Sequence, residues 1–187
     1  MWHLDLVPVY LSDRPRLLTE LTAALERAFP ATIHLRTPWF DPEVSFDPAR
    51  GQYSSTKVLR CLLDEGSTSS SRILAVVGVD LFAPVLTYVF GEAQLDGRAA
   101  VVSIHRLRPE AYGLPADDEL LLGRLLKEST HELGHTFGLL HCPDGNCVMH
   151  ASTYVEDIDL KSAEFCADCR SHVPSTVPPI DRGTPHR

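Results

Sequence analysis

The sequence predicts a mixed α/β fold, and three observations carry that expectation. Strand-like and helix-like segments alternate through the first half of the chain. The run SRILAVVGVDL is almost continuously apolar and β-branched, as in a strand covered on both faces. The last third turns helical and rich in cysteine, which places a different kind of unit after the sheet. With 187 residues, 44% of them hydrophobic, the chain is sized for one domain that buries a core without disulfides.

Taken in order, Leu4 to Leu11 is apolar, is bounded by Ser12, Asp13 and Pro15, and reads as a strand. LLTELTAALERAF, from Leu17 to Phe29, repeats its apolar residues at three and four spacing and reads as an amphipathic helix, with Thr32 to Leu35 as the next strand. Residues 39 to 53 carry Asp, Pro and Gly without apolar period and read as a loop, followed by a helix at about Ser55 to Glu65. In that helix Cys61 stands apart from the other cysteines and reads as a small buried hydrophobe. A short Ser-rich turn, Ser67 to Ser71, leads into the SRILAVVGVDL strand, expected at the centre of the sheet. Leu86 to Phe90 and Ala99 to His105 read as two more strands around Asp96 and Gly97. The end of the chain, residues 174 to 187, is rich in proline and lacks an apolar period, so a disordered tail is expected.

Charge narrows the function classes. Lys plus Arg number 17 against 25 Asp plus Glu, a formal net charge of -8 that opposes broad contact with phosphate backbones or anionic lipid. No nucleic acid and no membrane is the expectation. The N-terminus lacks a basic segment before an apolar run, and no stretch approaches the roughly 18 apolar residues of a membrane span. A cytoplasmic, monomeric protein is therefore expected, and in a reducing compartment five cysteines point to metal rather than to disulfides.

Asp117 or Asp118 caps a helix through ELLLGRLLKESTHELGHTFG, whose Leu122, Leu126, Leu133 and Phe137 recur at helical spacing and define its core face. At about 100° per residue, His131 and His135 project from the opposite side, one turn apart, where both imidazoles can reach one ion. Gly138 can take the left-handed conformation that ends the helix and turns the chain back, bringing His141 to the same metal. A chance match to the five fixed positions His131, Glu132, His135, Gly138 and His141 is below roughly one in ten thousand at ordinary residue frequencies. Three protein ligands leave a fourth position open, the arrangement of a catalytic zinc; water bound there can lose a proton to Glu132, which implies metal-assisted hydrolysis of an amide.

Cys142-x4-Cys147 and Cys166-x2-Cys169 form two close pairs separated by 18 residues, the spacing of a closed, structural four-thiolate zinc site. Buried thiols, a labile disulfide or a nucleic-acid-binding ribbon are the competing readings. Acidic neighbours such as Asp144, Glu156 and Asp168 weaken the last. Cys142 directly follows His141, so the two zinc sites must be mechanically coupled, and Met149 is fixed two residues after Cys147.

The run from His131 to Cys169 resembles the signature of the archaemetzincins within the metzincin zinc metalloproteases, and GVDLFAP, TYVFGEAQ and VSIHRL upstream are similar to archaemetzincin segments. Between Met149 and Cys166 lie 16 residues, about one fewer than the resemblance leads one to expect, a difference a surface loop absorbs easily. The resemblance implies a catalytic zinc on His131, His135 and His141, Glu132 as general base, Met149 in a turn below the metal, and a second zinc on Cys142, Cys147, Cys166 and Cys169. It also implies a metzincin-like catalytic domain over residues 1 to 173, with a mostly parallel sheet, an antiparallel edge strand and three main helices. The N-terminal subdomain would run to about 138 and a small zinc-stapled C-terminal subdomain from about 139.

The expected activity is zinc-dependent hydrolysis of peptides, with aminopeptidase action among the options. The alternative is a weakly active or inactive peptide-binding or regulatory module, which a loop blocking the open zinc position would favour. By analogy with metzincins, substrate is expected to lie extended along Leu86 to Phe90. Tyr154 reads as a packing residue rather than an oxyanion donor, and His150 as a supporting or surface histidine.

Overall fold

The computed structural model describes residues 2–64 and 71–173. Its elements are β1 (Trp2–Val9), α1 (Pro15–Ala28), β2 (Ala31–Leu35), β3 (Phe46–Asp47), β4 (Gln52–Ser54), α2 (Ser55–Asp64), β5 (Ser71–Val77), β6 (Leu81–Phe82), β7 (Gly91–Ala93), β8 (Ala99–Ser103), α3 (Asp118–Thr136), α4 (Val155–Leu160) and α5 (Ala167–His172), with 3-10 turns at Pro42–Ser45 and Pro109–Tyr112. The expected tail at 174–187 and most of the Ser-rich turn fall outside the described residues. Among the described residues no helix is long and apolar enough to cross a membrane.

The main sheet has the order β2-β1-β5-β8-β7. The first three neighbouring pairs are parallel, and only β7 runs antiparallel, against β8. Every residue of β5 is buried because alternate side chains enter two different cores. Leu74 and Val76 join Leu4, Leu6, Ala100 and Val102 under α1 and α3, while Ile73, Ala75 and Val77 join Val7, Val9 and Val101 under α2. This two-sided cover explains why the sequence there is a continuous apolar run. Each buried Leu, Ile or Val contributes roughly 1.5–3 kcal/mol.

Three expectations are corrected. The segment Leu86–Phe90 does not form a strand; its pairing consists of an isolated bridge between Leu81 and Val89 and one hydrogen bond from the Ser103 N–H to the Phe90 carbonyl. Val85 takes a positive φ of 65°, and the Leu86 N–H turns back to the Ala83 carbonyl. The Leu86 and Thr87 carbonyls then accept from the Arg50 guanidinium at 2.7 and 3.0 Å, and Gln52 Nε2 also donates to Thr87 at 3.0 Å. The Leu86 and Thr87 carbonyls are thus taken by the chain itself and are not offered to a substrate strand, although the segment still lines the cleft. The edge strand forms directly after this segment, at β7.

The second correction concerns α3. Its deepest residues are Leu121, Leu125 and Leu133, whereas Leu122, Leu126 and Phe137 are only partly buried. From Glu128 to Gly134 the helix is buried all round, with the sheet and α1 on one side and the chain after Gly138 on the other, so a single apolar stripe underdescribes it. Cys61 is half-buried rather than a core residue.

Candidate metal centres

Helix α3 begins with Asp117, whose carboxylate accepts from the Leu120 N–H at 2.9 Å, and it ends where Gly138 turns left-handed at φ +84°. The Gly138 N–H donates to His135 O and the Leu139 N–H to Gly134 O, closing the last turn. The chain then doubles back and sets His141 beside the two helical histidines, with ring centroids 5.1 and 5.3 Å from His135 and His131. One nitrogen from each of the three rings lies within 4.8 Å of the others.

The hydrogen bonds fix how these rings face. His131 Nδ1 donates to the Val148 carbonyl at 2.8 Å and His135 Nδ1 to the Leu139 carbonyl at 2.7 Å. A carbonyl only accepts, so in both rings Nδ1 carries the hydrogen and Nε2 presents a lone pair. Those two Nε2 atoms stand 3.1 Å apart. Two opposed lone pairs at that distance call for a cation between them. A tetrahedral zinc with bonds of about 2.0–2.1 Å would separate its nitrogen ligands by roughly 3.3–3.4 Å, so the donor set fits the metal. Burial is the first cause that holds all three imidazoles below their ordinary pKa, and it keeps them in the neutral form a metal needs.

Glu132 is buried on the cleft side of α3 and is pressed by the edge strand: a Cβ on Gly91 would sit 2.7 Å from its Cγ and Oε1. Burial, then the carboxylate of Glu128, drives its pKa well above the usual carboxylate range; Lys161 opposes this and Glu92 adds to it. The cleft in front of these groups holds about 510 Å³ and is lined by Tyr88, Phe90, Gly91, Leu95, Leu140 and His141 among others. His141 itself is exposed to it.

Met149 is fully buried against α3, so close to Gly134 that a Cβ there would collide with its sulfur. Its carbonyl accepts from the Cys142 N–H at 2.9 Å. The four cysteines Cys142, Cys147, Cys166 and Cys169 are free thiols whose sulfurs lie within 4.8 Å of one another. Cys142 Sγ and Cys166 Sγ are 3.9 Å apart, near the roughly 3.8 Å edge of a tetrahedral zinc with bonds of about 2.3 Å. The Cys166 N–H donates to Cys147 Sγ at 3.3 Å, and Cys169 N–H to Cys166 Sγ at 3.5 Å, as suits thiolates.

The three histidines and four cysteines singled out as ligands thus come together in two clusters. Tyr154, read as a packing residue, is instead 64% exposed at the start of α4. His150 supports the turn by donating from Nδ1 to the Cys142 carbonyl at 3.0 Å. The sequence reading missed Lys161, whose buried ammonium lies 3.0 Å from Glu128 Oε1 and 3.1 Å from the His150 carbonyl. Glu128 carried a faint signal, sitting three residues before His131 on the same helical face; Lys161 carried none.

Comparison with known proteins bears on these clusters. The profile of Peptidase family M54 matches residues 43–174. The archaemetzincin of Methanocaldococcus jannaschii is 44% identical over 128 residues, 68% of this chain and 69% of that protein. The archaemetzincin of Natronomonas pharaonis is 30% identical over 175 residues, 91% of this chain and 99% of that one. Among solved structures, the archaemetzincin of Methanopyrus kandleri superposes with a TM-score of 0.81 at 38% identity, covering 92% of this chain and 93% of its own. A zinc-dependent peptidase from Methanocorpusculum labreanum superposes with a TM-score of 0.76 at 32% identity, covering 91% and 100%.

Proposed function

The chain belongs to peptidase family M54, the archaemetzincins, and is a zinc metallopeptidase; we propose that it hydrolyses peptides at His131, His135 and His141, with Glu132 as general base. The observation that carries this is the pair of Nε2 lone pairs facing each other across 3.1 Å, with Glu132 beside them at an open cleft. A zinc ion held by the three histidines would polarise the scissile carbonyl and acidify the attacking water. The Val148 and Leu139 carbonyls orient the two helical imidazoles, as acceptors for a ligand's second nitrogen do in metal sites. Glu132 takes the proton of the attacking water and delivers it to the leaving amine. Burial favours its neutral form, while a dication nearby favours the carboxylate that a base requires.

A second zinc on Cys142, Cys147, Cys166 and Cys169 would be structural, since four thiolates leave no position for substrate. It would hold together the segment from about residue 139, which we read as the C-terminal subdomain. Peptide substrate would pair with the outer edge of β7, because the antiparallel register directs the backbone groups of Glu92 toward β8 and those of Gly91 and Ala93 outward.

Aminopeptidase action is the finer reading. Digestion of a peptide library and of the same library with acetylated N-termini tests both levels. Cleavage that disappears with a chelator and returns with zinc supports the peptidase, and its loss on acetylation supports the exopeptidase. An intact, zinc-loaded chain that cleaves neither library would contradict the function.

A further inference from the structure

Lys161 is the most deeply buried cation of the described residues that carries an ion pair: its side chain is 0% exposed and that of its partner, Glu128, 4%. Removing an ammonium from water is costly unless its hydrogens are all directed to acceptors. Nζ is ion-paired with Glu128 Oε1 at 3.0 Å, on α3, and donates to the His150 carbonyl at 3.1 Å, in the turn that follows Met149. Nζ also comes within 3.5 Å of His131 Nδ1, but that nitrogen already donates to Val148, so the contact is between two donors and holds nothing by itself.

The arrangement is a bridge. Glu128 stands one turn before His131 on α3, Lys161 follows α4 with its N–H on the Asp157 carbonyl, and His150 lies two residues after Val148, whose carbonyl fixes the His131 ring. We infer that Lys161 and Glu128 are positioning residues for the histidine metal centre: their ion pair clamps the 148–150 turn to α3 and so keeps the Val148 carbonyl on His131 Nδ1. Without the clamp, the turn remains tied by the Met149 carbonyl to Cys142 and by the Val148 N–H to the Glu164 carbonyl, both on the side of the cysteine cluster. The His131 ring then loses the constraint on its orientation, and the cost falls on the histidine site. Loss of such an outer partner typically lowers metal affinity about 10- to 100-fold.

The inference rests on the histidines binding metal, so the zinc equivalent lost from full-length protein in His141→Ala is measured first. Zinc affinity at the histidine site is then determined by chelator competition for wild type, Lys161→Met, Glu128→Gln and the double variant Lys161→Met/Glu128→Leu, alongside melting temperature and the visible spectrum of cobalt placed at that site. Lys161→Met leaves a buried carboxylate without its cation and is expected to lose both stability and affinity. The double variant replaces the pair by apolar groups of similar size, so stability should return while affinity stays about 10- to 100-fold low and the cobalt bands stay shifted. Glu128→Gln keeps an acceptor for Nζ and should lose least. A double variant that regains wild-type zinc affinity together with its stability would show the pair to be a stabiliser only and overturn the inference. If Lys161→Met does not fold, the double variant still decides. A wild-type chain with no metal at the histidines would sink the function proposed above and this inference with it, whereas wild-type metal binding with unchanged affinity in the double variant sinks the inference alone.

Discussion

Gly91→Ala gives the most quantitative test of how closely the edge strand and the general base are fitted. The added Cβ would lie 2.7 Å from Glu132 Cγ, 2.7 Å from its Oε1 and 2.8 Å from the Val101 carbonyl. Ordinary contacts to a carbon begin near 3.5 Å, so something must move by roughly 0.7 Å or more. The Val101 carbonyl belongs to β8, a strand paired on both sides, and has little freedom to yield. Glu132 is buried between β7 and α3 and takes most of the displacement. Overpacking of this kind costs about 1–3 kcal/mol of stability, and a misplacement near 1 Å of a group that acts on the reacting atoms costs about a hundredfold in rate. The assay is kcat/KM on a cleaved peptide, with zinc content and melting temperature measured on the same sample. Gly123→Ala is the control, since Gly123 sits within α3 and a Cβ there meets nothing within 4 Å. That change should stabilise the helix by up to about 1 kcal/mol and leave the rate alone. A folded, zinc-loaded Gly91→Ala with wild-type kcat/KM would refute the reasoning, either about the contact or about the role of Glu132.

Cys166→Ser should remove one zinc equivalent and lower the melting temperature, because the segment after Gly138 gains much of its folding energy from metal; unchanged zinc and melting temperature would contradict the four-thiolate site. Gly134→Ala should cost about 1–3 kcal/mol in a urea melt, since its Cβ meets the Met149 sulfur and the Phe165 ring. The Asp80 carboxyl is raised by burial, but Arg106, at 2.7 Å to both oxygens, and Gln52 at 2.9 Å outweigh this and hold it below its ordinary value. Its stabilisation is therefore present above the unfolded value of about 3.9 and is lost as the pH falls through the lower folded value, and Arg106→Ala should flatten that acid loss in urea midpoints.

What could be read from the sequence depended on whether a feature is local. The histidine spacing, the left-handed glycine after them and the cysteine pairs are all consequences of chain geometry over a few residues, and the structure brings these residues together as the spacing suggests. The central strand was equally legible, because burial on both faces writes itself into consecutive residues. The failure at Leu86–Phe90 has the opposite origin: its apolar residues suit a strand, but Arg50 and Gln52, far earlier in the chain, occupy its carbonyls. In α3 the assigned stripe holds Leu133 but misses Leu121 and Leu125 by one residue each, and the second half of the helix is covered on every side, which erases the helical period there. Lys161 was invisible for the same reason as Arg50. Its partners, Glu128 and His150, are joined to it only by the tertiary fold.

The central claim is that Glu132 serves as the base of a zinc peptidase, and Glu132→Ala compared with wild type on one cleaved peptide tests it most directly. Glu132 is not among the groups whose donor atoms converge for a metal, so the substitution should leave zinc content and melting behaviour near wild type. Removal of a positioned general base is expected to lower the rate by about a hundredfold to ten-thousandfold. Equal rates for wild type and Glu132→Ala, with zinc retained in both, would contradict the account.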